Sequence, residues 1–106
     1  MNLRFMRMIV FFDLPSATLG ERKIYAGFRK FLLKNGFVMM QESVYCRLLL
    51  NAGNQSFLEE KLRNAAPEKG LVQILTITEK QFASIQCITG EYRSDVLSST
   101  QRTVIL

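Results

Sequence analysis

The sequence predicts an α+β protein with the element order β-α-β-β-α-β, the split β-α-β or ferredoxin-like arrangement. Three observations carry this expectation. An apolar, β-rich run at residues 5–12 stops abruptly at Leu14-Pro15-Ser16. Thr18-Leu19-Gly20-Glu21 has the spacing of a capping box and opens a segment of helical periodicity. Leu71 to Thr78 is a long strand-forming run at the end of the repeating part of the pattern. A chain of 106 residues with 48% hydrophobic content is one domain, able to bury its own core.

The first run, Phe-Met-Arg-Met-Ile-Val-Phe-Phe, is apolar at nearly every position, as expected of a central strand buried on both sides. Alternation places Met6, Met8, Val10 and Phe12 on one face, and Arg7, Ile9, Phe11 and Asp13 on the other. The helix from Thr18 to about Lys34 has an apolar stripe of Ile24, Phe28, Phe31 and Leu32. Asn35-Gly36 then ends it with residues tolerant of the left-handed conformation. Phe37–Met40 reads as a short strand, Gln41-Glu42-Ser43 as a polar break or bulge, and Val44–Leu50 as a stronger strand. Asn51-Ala52-Gly53-Asn54 makes a turn. Ser56-Phe57-Leu58-Glu59 reads as a second capping box, opening a helix that buries Leu58, Leu62 and Ala65 and closes at Pro67 and Gly70. Beyond Thr78, residues 82–88 read as a fifth strand and Arg102–Leu106 as an edge strand. Residues 79–106 are thus an extension of a single domain 1–106, available to the dimer or a partner.

Both helices belong on one face of such a sheet, which leaves the other face open. With Ile9 and Phe11 on it, that face is apolar and predicts an interface, and a homodimer formed through the open face is the simplest one.

Fourteen basic against nine acidic residues give a net charge of +5, which favours acidic partners, nucleic acid first. Arg22, Lys23, Arg29, Lys30 and Lys34 fall opposite the apolar stripe of the first helix and are the candidate phosphate contacts. A solvated helix face is the plain alternative. The chain has no histidine, and Cys46 and Cys87 form no C-x-x-C motif, so the common Cys/His zinc sites lack ligands within one chain. Both cysteines lie in apolar stretches and are expected as buried thiols in a reducing cytoplasm. The apolar run Met8–Phe12 is too short for a secretory signal, and no stretch approaches a membrane span, so a cytoplasmic protein without membrane contact is expected.

Two motifs resemble the CRISPR-associated Cas2 family. One is the hydrophobic first strand ending in Phe12-Asp13 and followed by Leu14-Pro15. The other is Gly36-Phe37 followed by Gln41-Glu42-Ser43-Val44-Tyr45. The resemblance covers about residues 5–90, and the long tail is similar to members that accompany a Cas9 effector. It implies a homodimeric CRISPR adaptation protein that binds double-stranded DNA and works with the Cas1 integrase to insert new spacers. Some members are described as metal-dependent endonucleases on DNA or RNA. On that reading Asp13 is the catalytic and metal-binding residue, with Mg²⁺ or another divalent cation as cofactor. Many members carry Tyr before this aspartate, where this chain has Phe12. A VapD-like toxin ribonuclease of the same fold is the alternative.

On the residues alone, an aspartate at a strand end is an ordinary turn-former. No second acid lies near Asp13 in sequence, and a two-fold axis that paired two copies of it would give a fuller site. Without histidine, attack would fall to a metal-bound hydroxide. An RNA-recognition-motif reading shares the element order but lacks the required Gly and aromatic pattern.

Overall fold

The computed structural model describes residues 5–92. The elements are β1 (Met6–Asp13), α1 (Leu19–Lys34), β2 (Val38–Gln41), β3 (Val44–Leu49), α2 (Ala52–Ala65), β4 (Leu71–Thr78) and α3 (Glu79–Ala83). The four strands form one antiparallel sheet in the order β2-β3-β1-β4. Each helical crossover therefore skips over one strand, as the split β-α-β order requires.

β1 is central and sorts its side chains as alternation predicts. Met8, Val10 and Phe12 enter the larger core with Leu14, Phe28, Leu32, Tyr45, Leu49, Leu58 and Leu62, under α1 and α2. Phe12 is the hub of its aromatic part. Its ring lies 5.6 Å from Tyr25, 5.2 Å from Phe28 and 5.7 Å from Tyr45.

The α1 capping box is present as read. Thr18 Oγ1 accepts from the Glu21 amide, and Glu21 accepts in return from the Thr18 amide. The stripe, however, is rotated from the one read in the sequence. Phe28 and Leu32 are buried, while Ile24 is 55% exposed and Tyr25 takes its place against the core. On the helical wheel Tyr25 lies about 20° from Leu32 and Ile24 about 80°. Ile24 instead lines a groove of about 630 Å³ with Leu14, Pro15 and Pro67.

α2 begins earlier than Ser56-x-x-Glu59 implied. Asn51 is its N-cap, with its side-chain oxygen accepting from the Asn54 amide at 2.8 Å, so the expected turn 51–54 is the first turn of the helix. Leu58 and Leu62 are buried, and Ala65 is half-buried.

The greatest departure follows β4. No strand forms at 82–88 among the described residues. Thr78 instead opens a second complete capping box with Gln81 and starts the short helix α3. This helix lays Phe82 on the sheet face that was expected to stay open, burying Ile9, Met40 and Cys46. Arg7, fully buried, fixes it there. Its Nε and one terminal nitrogen donate to the two Glu79 oxygens at 2.6 and 2.9 Å, and its guanidinium lies 4.3 Å from the centre of the Phe82 ring. Burial works against this cation, but Glu79 and the Cys46 sulfur together outweigh it and hold the Arg7 pKa above the ordinary arginine value. What stays exposed of that face is Phe11 on β1 with Leu71 and Leu75 on the edge strand β4. Cys46 is buried as expected, whereas Cys87 is exposed, because residues 84–91 stay on the surface before Tyr92 returns to pack on Phe82. The expected edge strand 102–106 lies outside the described residues. No described helix is long and apolar enough to cross a membrane.

Candidate functional site: a strand-end cleft beside a basic helix

Asp13 is the last residue of β1, and its side chain is exposed where the strand leaves the sheet. Two features fix the backbone here. Gly70, just before β4, has φ +96°, and a Cβ at that position would stand 2.6 Å from the Asp13 carbonyl oxygen and 2.9 Å from Leu14 Cδ2. Only glycine gives both the backbone conformation and the room. On the other side, the Phe12 amide donates to the Ser43 carbonyl at 3.0 Å.

Ser43 belongs to the two-residue turn Glu42-Ser43, which joins the Gln41–Val44 pair at the end of the β2–β3 hairpin. The ladder shifts register between Met39 and Gln41, so the polar break read in the sequence is a bulge followed by this turn. Ser43 has φ +64°, and its hydroxyl lies 3.0 Å from the Tyr25 hydroxyl on α1.

These elements enclose a cleft of about 490 Å³ lined by Asp13, Leu14, Ser16, Arg22, Tyr25, Glu42 and Ser43. A second one, about 290 Å³, opens on the other side of Asp13 against Glu42, Ser43, Leu71 and Gln73. The second acid that the local sequence around Asp13 lacks thus comes from Glu42, 29 positions away in the chain, which lines both clefts with it. The sequence showed Glu42 only as part of a polar break and a motif, with nothing to place it beside Asp13, because that proximity is set by strand pairing.

The five cations read on α1 are all exposed, but they do not form one uniform face. Arg22 lines the cleft of Asp13, and one of its nitrogens donates to the Ala17 carbonyl at 2.9 Å and the Ser16 carbonyl at 3.4 Å. Its other N–H groups keep their donor capacity toward an anion. Arg29, seven residues on and so on the same side of the helix, interacts with the hydroxyl of Tyr45. Burial pushes the Tyr45 phenol up, and Arg29 pulls in the opposite direction. Lys23, Lys30 and Lys34 form a second row facing outward. Lys61 of α2 extends the basic surface past the helix end, donating to the Asn35 side-chain oxygen at 2.9 Å.

The donor set offers a divalent cation little. Among the described residues, no three Cys, Asp or Glu side chains come together. Asp13 and Glu42 fit only the sparse Mg²⁺ mode, in which one or two carboxylates bind the ion and substrate phosphate and water complete its shell.

A family model described as CRISPR associated protein Cas2 matches residues 6–85. The chain belongs to the Cas2 family. It is 46% identical over 101 residues to the CRISPR-associated endoribonuclease Cas2 of Treponema denticola, covering 95% of this chain and 100% of that protein. It is equally similar to the protein of the same name from Streptococcus mutans, over 95% of this chain and 93% of that one. Among solved structures, one described as a crystal structure of cas2 aligns with a TM-score of 0.59 at 24% identity, over 85% of this chain and 92% of that one, which supports the fold. Membership in the Cas2 family makes this a CRISPR-associated protein and does not favour the toxin-like alternative.

Proposed function

We propose that this Cas2-family chain is a homodimeric DNA-binding scaffold in CRISPR adaptation, holding a duplex for the Cas1 integrase. The observation that carries the reading is α1, which presents five exposed cations in two rows, Lys23, Lys30 and Lys34 facing outward and Arg22 and Arg29 along the flank beside the strand ends. Backbone contacts of this kind position a duplex without reading its sequence. The apolar residues left exposed on the open face of β4, Leu71 and Leu75, support a second copy at that edge of the sheet, as a shift of the open-face dimer toward β4. The test is co-purification of the chain with Cas1 and a DNA duplex on a sizing column. A stable complex containing two copies of the chain is the expected result, and elution of a free monomer beside Cas1 would contradict it.

A second reading, a metal-dependent nuclease on DNA or RNA, has a specific observation behind it: Asp13, Glu42 and Arg22 line one cleft. The proteins it is similar to are named endoribonucleases. Asp13, with Glu42, would hold Mg²⁺ or another divalent cation, and Arg22 would bind the phosphate. The ion, when bound, supplies Lewis-acid polarisation of the phosphate and an acidified water. The chain's own residues fix the geometry: Gly70 and Ser43 hold the Asp13 backbone from both sides. Cleavage of duplex DNA or RNA that is stopped by a chelator and by Asp13→Ala would support this reading. Cleavage that survives Asp13→Ala would reject it.

A further inference from the structure

We propose that Tyr25 is a positioning residue for the strand-end cleft: its hydroxyl holds Ser43 in place, and through Ser43 it keeps the Glu42 lip of the cleft against Asp13. The proposal rests on the reading of that cleft as a cation site.

Ser43 is the one described non-glycine residue with positive φ. As the second central residue of a two-residue turn it occupies a position that usually selects Gly or Asn. A serine there is in an unfavourable backbone state and persists only where its surroundings hold it. Two hydrogen bonds do so. One runs from the Phe12 amide to the Ser43 carbonyl, directly beside Asp13. The other joins the Ser43 and Tyr25 hydroxyls, linking the turn to a rigid helix.

Tyr25 is well placed to act as an anchor. Its ring is half-buried and packs on Phe12 at 5.6 Å, so its hydroxyl has little freedom. The same side chain lines the cleft with Asp13, Arg22 and Glu42. Tyr25 therefore joins the basic helix, the hairpin turn and the end of β1 at one point. A plain core aromatic would need the ring but not the oxygen.

Tyr25→Phe in the full-length chain removes the oxygen and keeps the ring. Two quantities are read: backbone amide hydrogen exchange at Phe12 and Val44, and Mn²⁺ binding followed by paramagnetic resonance. The expected result is exchange at Phe12 about tenfold faster, as for loss of one net hydrogen bond, and Mn²⁺ affinity lowered by about the same factor. Ser43→Ala, which removes the other hydroxyl, should give the same changes and serves if the first variant misfolds. Adding Ser43→Gly to Tyr25→Phe should restore protection at Phe12, because glycine takes a positive φ without an anchor. Unchanged exchange at Phe12 in both single variants would overturn the proposal. Mn²⁺ binding that is absent, or unaffected by Asp13→Asn, would reject the cation reading instead, and the exchange data would then decide the anchor alone.

Discussion

The outer side of α1 and the cleft at the end of β1 are neighbours built on opposite principles. On α1, cations recur at helical spacing and stay in solvent, so each one adds to a common field. In the cleft, single residues hold single positions: Gly70 admits the Asp13 backbone, Ser43 accepts from Phe12, and Tyr25 meets Ser43. A distributed array tolerates the loss of one member. A fixed constellation does not. The difference teaches that substitutions on α1 should act gradually and depend on salt, while those around Asp13 should act singly and locally.

The largest effect should come from removing the array as a whole. Neutralising Arg22, Lys23, Arg29, Lys30 and Lys34 together to Gln should weaken duplex DNA binding by about 10³-fold or more. It should also flatten the salt dependence by about 0.9 for each phosphate that no longer meets a cation. Fluorescence anisotropy across a salt series measures both. Single Lys→Gln changes should each lower the slope by about 1 or less without changing sequence preference. A single substitution that abolishes binding would show that α1 is a specific site and break the contrast.

The next effect concerns the other face of the sheet, where the ion pair Arg7–Glu79 is built on the same fixed principle as the cleft. Glu79→Ala should cost about 3 kcal/mol in urea unfolding, because it strips the carboxylate from a buried cation. The double variant Arg7→Met/Glu79→Ala should recover part of that loss. Equal losses in both would show that the cost does not come from leaving the buried Arg7 charge without its carboxylate.

Gly70→Ala should cost about 2 kcal/mol or more, since it combines an unfavourable φ with a clash against backbone that cannot move aside. Its DNA affinity should stay near that of the wild type, which separates cleft from helix directly. A matching drop in DNA binding would tie the two regions together.

The smallest effect is alkaline. Burial raises the phenol pKa of Tyr45 and of Tyr92 above their value in the unfolded chain. Their contribution is therefore complete below about pH 10, the unfolded value, and is lost as pH rises through the folded pKa. Melting followed at several pH values above 9 should fall more steeply for wild type than for Tyr45→Phe. Arg7 adds nothing to this window, because its raised pKa keeps it charged throughout.

Much of the frame could be read in advance, for local reasons. The alternation in β1, the Thr18–Glu21 box and the Asn35-Gly36 stop each write their structure into adjacent residues. Where two local signals competed, the reading failed. Ser56-x-x-Glu59 imitated a helix start that Asn51 had already made. The apolar residues after Phe82 resembled a strand, although Thr78-x-x-Gln81 carried the spacing of the box that opens α3. Asp13 stood out from its motif, but Glu42, Gly70 and Tyr25 reach it only through strand register and helix packing. The burial of Arg7 was equally hidden, since its partner Glu79 is 72 positions away.

The central claim is that α1 provides the scaffold function and that Asp13 is not required for it. A reconstituted integration reaction with Cas1 and a DNA duplex tests both halves at once. Asp13→Ala should support integration at the wild-type level, and the five-fold α1 variant should not, with both proteins still folded. Loss of integration in a folded Asp13→Ala protein, or its survival in the α1 variant, would contradict the account.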